Sequence, residues 1–340
     1  MKNIVYRLEV KNFKSLRDVT LDCSRVNVFI GPPGTGKSNI LEVIGLLSWL
    51  GHGGALASFV RCNELQDLLF LRNMNDKCEM VWRTSEEKPR LVIEGAPDAT
   101  GIEGTLHLPK LQVCCFSLRH EKFRSATPAS QCANRARIFK FYRGICEAFK
   151  PDARRFLLPP QGANLASLLY SQREYLRRLS SSFGEGMRLT VEIKKGSEIE
   201  VKCILEKEDP PVIVDWSLLS ETMRRLAFHL LAIWTNKDSV IAFEEPEAHS
   251  FQYYTSVLAE EIASDENNQY FITTHNPYFL IRLLEKTPKE QIGCFVVWMK
   301  NYETRVRRLS EEEIEDEVLD AAGDVFLQLE HMIERWQDEG

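Results

Sequence analysis

Residues 31–38 read GPPGTGKS, between the apolar run VNVFI (26–30) and KSNILEVIGLLSWL (37–50), whose apolar residues recur at helical spacing. Strand, glycine-rich turn and helix in that order constrain the fold more than any other stretch: they open an α/β unit. The eight residues fulfil G-x-x-x-x-G-K-[ST] in full. Gly31, Gly34 and Gly36 let the backbone turn its N–H groups around an anion, with Pro32, Pro33 and Thr35 filling the turn. The helix N-terminus behind them already favours negative charge. Lys37 is placed to reach the β- and γ-phosphates, the Ser38 hydroxyl to ligate Mg²⁺, and Asn39 stands beside them. The motif predicts a nucleotide site with ATP and Mg²⁺ as its cofactors.

Such a site needs a second strand, beside the first, that ends in carboxylates near the metal. SVIAFEE (239–245) supplies it. Glu244, at the strand end, is expected to hold Mg²⁺ through its water shell. Glu245 is expected to polarise the attacking water as general base. An acidic residue at a helix N-terminus is the simpler account of Glu247. YFITTHNPYFL (270–280) is a further apolar strand, and it delivers His275 to the sheet edge where ligands bind. There it would contact the γ-phosphate or hold the water. TNKDS (235–239) is not a guanine-reading N-K-x-D, because its aspartate comes one residue early and precedes a strand.

The rest of the chain reads as mixed α/β. Residues 4–31 alternate as two or three strands, and 51–118 as strands and loops with a short helix in ELQDLLFLRN. RARIFKFYRGICEAFK (135–150) and LASLLYSQREYLRRLSSSFG (165–184) carry helical periodicity, and 188–208 reads as a hairpin around Lys195 and Gly196. From 217 onward helix and strand alternate: helix 219–235, strand 239–243, helix 247–264, strand 269–274, helix 277–285, strand 292–299. Nine cysteines without CxxC pairs predict reduced, mostly buried thiols. No signal peptide or membrane span is legible, so a cytoplasmic protein with no membrane association is expected.

Net charge is −6, which opposes general nucleic-acid binding, but from Arg119 to Arg178 there are 13 Lys/Arg against four Asp/Glu. That local +9 leaves −15 for the remainder, including SEEEIEDEVLD (310–320), a solvated helical face. Arg119, Lys122, Arg124, Arg135, Arg137, Lys140 and Arg143 interleave with Phe123, Phe139, Phe141 and Tyr142. That mixture suits a phosphate backbone with stacked bases, and equally a buried apolar stripe with charges on its far face.

GPPGTGKSN, FEEPEAH and TTHNP together resemble the ABC-type ATPases of the SMC/RecF/OLD group, in particular stand-alone AAA_21-like proteins. LEVKNFKSLRDVTLD resembles that group's first hairpin. The resemblance covers roughly 1–50 and 215–310. It implies an α/β ABC-type head with an N-terminal β-hairpin lobe and a largely helical basic insertion. The corresponding segments are 1–118, 119–187, 188–300 and an acidic helical tail at 301–340. It implies a head-to-head homodimer in which a signature serine meets the neighbour's γ-phosphate. Ser220, in LLSETMRRLAFHLLAIWT (218–235), matches that serine, and it would also cap the following helix. Asn12 and Lys14 resemble positions near the nucleotide.

Two positions depart from the group: Thr222 stands where glycine is usual, and Glu244 where aspartate is. The group's Q-loop glutamine is not assignable, with Gln66 and Gln112 as weak candidates. Action in DNA repair or phage defence, on DNA or with a separately encoded nuclease-like effector, is what the resemblance implies. About forty residues follow the last strand, too few for an appended nuclease domain. The departures favour a second possibility, an ATP-binding scaffold with little turnover. A transporter's nucleotide-binding subunit fits less well, because KNFKS and EEPEAH differ from it and no LSGGQ-like signature is present.

Overall fold

Leu8, Val10 and Phe13 alternate with polar residues in RLEVKNF, as Leu16, Val19 and Leu21 do in LRDVTLD, and each set is buried on one face. These are β1 (Arg7–Phe13) and β2 (Leu16–Asp22), an antiparallel hairpin. Residues 4–96, 101–108, 111–119, 129–194, 199–207, 209–319 and 325–338 are described by the computed structural model of the protein. β3 (Val26–Ile30) runs into α1 (Lys37–His52). Short 3₁₀ turns follow, in place of the expected helix in 64–73, because each of them is only three or four residues long. Next come β4 (Cys78–Arg83), β5 (Arg90–Gly95), β6 (Gly101–Leu108) and β7 (Leu111–Arg119). α2 (Ser130–Ala136), β8 (Phe139–Tyr142), α3 (Leu165–Ser171) and α4 (Arg173–Ser182) occupy the basic segment. β9 (Met187–Ile193), β10 (Ile199–Leu205) and β11 (Val212–Asp215) precede α5 (Glu221–Thr235). Then follow β12 (Val240–Glu244), α6 (Gln252–Ser264), β13 (Gln269–Thr273), α7 (Pro277–Lys286), β14 (Ile292–Lys300) and β15 (Glu303–Arg308). α8 (Glu311–Ile314) and α9 (Val325–Asp338) close the chain.

Three sheets result. The central one has the order β15-β14-β3-β13-β12-β8, parallel except for the edge strand β15. Both faces are covered, so its strands read as continuous apolar runs rather than alternating ones. Val28, Ile241, Phe243 and Ile272 face the helices α5 to α7 in one core, while Phe29, Val240, Ala242 and Phe271 face α1 in the other. The second core is closed from outside by the antiparallel lobe β2-β1-β4-β5-β6-β7. A small sheet, β11-β10-β9, packs with α3 and α4. The turn at Lys195 and Gly196 lies outside the described residues, though β9 and β10 pair antiparallel as a hairpin requires.

Several local expectations are corrected. β12 is not beside β3: β13 pairs with both and lies between them. The helix expected over 135–150 is instead β8, because Phe139, Phe141 and Tyr142 are aromatic and wholly buried at the sheet edge, which suits a strand. Those rings are core, so they offer no platform for nucleic-acid bases. Lys122, Phe123 and Arg124 lie outside the described residues. The cysteine expectation fails at one pair: Cys115 on β7 and Cys132 on α2 come within 5.7 Å (Cα–Cα) and form a disulfide, while the other seven lie outside it as thiols. The tail beyond 300 begins with a strand, β15, which seals the central sheet.

Candidate nucleotide site

The turn between β3 and α1 takes glycine-dependent conformations, with φ of +150° at Gly31, +76° at Gly34 and +98° at Gly36. A Cβ on Gly31 would stand 2.1 Å from the Val297 carbonyl oxygen, and one on Gly36 2.0 Å from the Thr304 hydroxyl. Glycine at these two positions lets the loop lie against β14 and β15. The Thr304 hydroxyl donates to the Thr35 carbonyl at 2.9 Å and shares a 2.6 Å hydrogen bond with Ser15 Oγ. Ser15 Oγ in turn accepts from the Asn39 amide at 2.7 Å, so Asn39 braces the loop from behind. Pro33 and Gly34 form the exposed tip. The buried Lys37 ammonium donates to the carbonyls of Gly31 and Pro32, both at 2.7 Å, and the Thr35 hydroxyl donates to Pro32 at 2.9 Å. Burial pulls the Lys37 pKa down to about 8, and the nearby Glu245 carboxylate opposes that fall. Ser38 follows Lys37 at the first turn of α1.

β12 ends in Glu244, and Glu245 follows with φ of +43°, a left-handed conformation that costs energy for a glutamate. Surrounding bonds impose it. The Glu245 N–H donates to the Thr273 carbonyl at 3.1 Å, and its carbonyl accepts from Arg225 Nη2 at 2.8 Å. The Glu245 carboxylate then lies 3.5 Å from His275 Nε2. Burial and Lys37 lower the His275 pKa, with Glu245 opposing, so the ring is neutral at pH 7. Lys37, Glu245 and His275 therefore share one electrostatic environment.

Glu247 does not cap a helix, since α6 starts five residues later at Gln252. It is buried against β13, where the Thr274 hydroxyl donates to Oε1 at 2.5 Å and the His275 N–H at 3.4 Å. Among the described residues its Oε2 has no hydrogen-bond partner, and burial raises the carboxyl pKa to about 7. This residue positions the backbone that carries His275.

Other expected residues fall differently. The Asn12 amide donates to the Lys77 carbonyl at 3.0 Å, and Lys14 pairs with the buried Glu42, so the side chains of both are turned to the β lobe and α1. Ser220 caps α5 by accepting from the Met223 N–H at 3.3 Å and is exposed. The Thr222 hydroxyl donates to the His249 carbonyl at 2.6 Å, tying α5 to the loop after β12. Gln66 pairs with Glu64, and Gln112 is exposed on β7. Sequence reasoning counted Arg143 only among the basic residues suited to a phosphate backbone and missed its place at the site: it follows β8, the strand beside β12, and its Nε lies 3.2 Å from Glu244 Oε2. Arg61 Nη2 reaches the other oxygen at 3.6 Å. An arginine directly after a short aromatic run was the available signal.

The glycine cradle and the buried lysine fit a triphosphate. Ser38 and Glu244 are the oxygen donors on offer to Mg²⁺. Among the described residues no group of three or more His, Cys, Asp or Glu forms a ready-made metal site.

Residues 4–67 match the AAA_15 family, described as an AAA ATPase domain. Among solved structures, one described as an SMC head bound to the C-winged helix domain of ScpA is 18% identical. The match covers 91% of this chain and 99% of that one at a TM-score of 0.54. The SMC head domain from Thermotoga maritima is 17% identical over 90% and 99%, with a TM-score of 0.48. No curated protein matches the chain. Residues 4–67 thus resemble an AAA ATPase domain. Its fold resembles that of an SMC head, an α/β core joined to an antiparallel lobe. Among the described residues no helix is long and apolar enough to cross a membrane.

Proposed function

We propose that this chain binds ATP with Mg²⁺ and hydrolyses it, closing on the nucleotide as a head-to-head homodimer. The convergence of Lys37, Glu245 and His275 beside the glycine cradle carries this reading. The loop amides and Lys37 would hold the phosphates, and Ser38 and Glu244 would hold a metal ion, which would supply charge neutralisation at the phosphoryl group. Glu245 accepts the proton of the attacking water. His275, neutral at pH 7, donates or accepts a hydrogen bond at the γ-phosphate. Ser220, exposed at the start of α5, is available to a second copy's nucleotide. Phosphate release by wild type and Glu245→Gln tests this: the variant should bind ATP normally yet turn over at least about 100-fold more slowly. Equal turnover by both proteins would remove Glu245 from the chemistry.

A role in DNA repair or phage defence, on DNA or through a nuclease-like partner, extends this reading. The solved SMC head bound to a winged-helix domain supports a partner with such a domain as one form the effector takes. The DNA contact expected from Arg119 to Arg178 now rests on charge without stacking. Many of those charges are already engaged: Arg135 pairs with Glu87 at 2.6 Å, Arg154 with Asp152 at 2.8 Å and Arg178 with Glu261 at 2.8 Å. A second reading, an ATP-binding scaffold with little turnover, is favoured by the two guanidiniums already on Glu244. It predicts nucleotide binding without phosphate release in wild type.

A further inference from the structure

Behind the phosphate loop, Glu42 is completely buried on α1, one turn after Ser38 and on the same face. Three cations surround it. Lys14 pairs with one oxygen, while the other accepts from Arg61 Nε at 2.6 Å and lies 3.7 Å from Arg143 Nη1. The two arginines bridge onward to Glu244. Lys14, Arg61 and Arg143 thus bring three positive charges against the two negative ones of Glu42 and Glu244. The carboxylate proposed to support the metal is already neutralised, within a cluster that carries one cation in excess.

The two arginines are not equally held. The Arg61 backbone N–H also donates to Glu42 Oε1 at 3.1 Å, and the Arg61 carbonyl accepts from Lys14 at 2.6 Å, so its place is fixed at several points. The Arg143 backbone N–H donates to the Pro160 carbonyl at 2.9 Å, and it is the side chain that is held less firmly. Its approach to Glu42 is long, and its nearest anion is Glu244. A guanidinium stays protonated at any physiological pH and forks onto phosphate as readily as onto carboxylate. A triphosphate arriving at the glycine cradle can therefore draw Arg143 off Glu244 by offering equivalent geometry and more charge. A bare divalent cation offers nothing to Arg143 and is repelled by the excess charge.

We propose that Arg143 is a specificity residue that couples metal to nucleotide: it occupies Glu244 until phosphate arrives, then turns to the phosphate and frees Glu244 for Mg²⁺. The site then retains much of its nucleotide affinity without metal, and takes no metal without nucleotide. This rests on the nucleotide-binding reading above.

Binding of a fluorescent ATP analogue to the full chain, in Mg²⁺ and in EDTA, tests it. Wild type should lose less than about tenfold in affinity when metal is removed. Arg143→Gln should lose at least about tenfold more affinity relative to wild type in EDTA than in Mg²⁺, with Arg143→Lys between them. Mn²⁺ alone should leave wild type unbound and bind measurably to Arg143→Gln. Thermal unfolding of each variant shows whether it is folded, and Arg143→Lys keeps the comparison usable if the glutamine variant is not. Equal losses in both buffers, no loss in either, or Mn²⁺ binding to nucleotide-free wild type each overturn the coupling. If wild type binds no analogue in either buffer, the nucleotide reading itself fails; if it binds and only the variant pattern is missing, the coupling alone falls.

Discussion

Glu245 and Glu247 stand two residues apart in FEEPEAH and are placed in opposite circumstances. Glu245 is held in a left-handed conformation with its carboxylate open to His275, whereas Glu247 is sealed beneath Thr274 with one oxygen unbonded. Burial raises the Glu247 pKa from 4.5 to about 7, a shift worth about 3 kcal/mol at most. The fold therefore prefers the free acid. Below about pH 4.5 the folded and unfolded chains both carry this proton. As pH rises towards 7 the unfolded chain loses it first, so stability falls across that window and the penalty is constant above it. Glu247→Gln keeps the acceptor for Thr274 without the charge. The variant should gain melting temperature relative to wild type at pH 8 over pH 5, and parallel melting curves at both would contradict this. The strand-terminal carboxylates were legible in the sequence because four apolar residues stop at Glu244. The role of Glu247 was not, because its burial depends on β13 and on Thr274 just after it, 27 residues further along the chain.

The phosphate turn depends on elements far from it in sequence. Thr304 on β15 links Thr35, Ser15 and, through Ser15, Asn39, so the edge strand and the first hairpin grip the same loop. Thr304→Val keeps shape and strand pairing but leaves the Thr35 carbonyl without its donor. It should cost about 1–3 kcal/mol in denaturant unfolding and weaken nucleotide binding, and unchanged affinity would show that the loop holds its shape unaided. Strand–turn–helix punctuation was readable from GPPGTGKS and its flanks. The order of strands was not: no local pattern says that β13 inserts between β3 and β12. β8 was missed because FKFY is four residues long and sits among basic residues at helical spacing, so a wrong period outweighed a short buried run. The place of Arg143 at the site was missed with it.

At the scale of the molecule, two cores on opposite faces of one sheet hold the P-loop, the carboxylate pair and His275 along its C-terminal edge. Ser220, Leu218 and Phe251 are exposed around the start of α5 and the loop after β12. A second copy facing that surface would set Ser220 against the nucleotide of the first. On the reading proposed above, ATP bound at Lys37 is hydrolysed between two such copies. Light-scattering mass of Glu245→Gln, with and without Mg²⁺ and ATP, reports on this, because blocked hydrolysis traps whatever assembly ATP promotes. ATP should double the mass from that of one 39.2 kDa chain, and Lys37→Ala in the same background should abolish the doubling. A mass unchanged by ATP, in a variant shown to have bound it, would rule out hydrolysis between two copies.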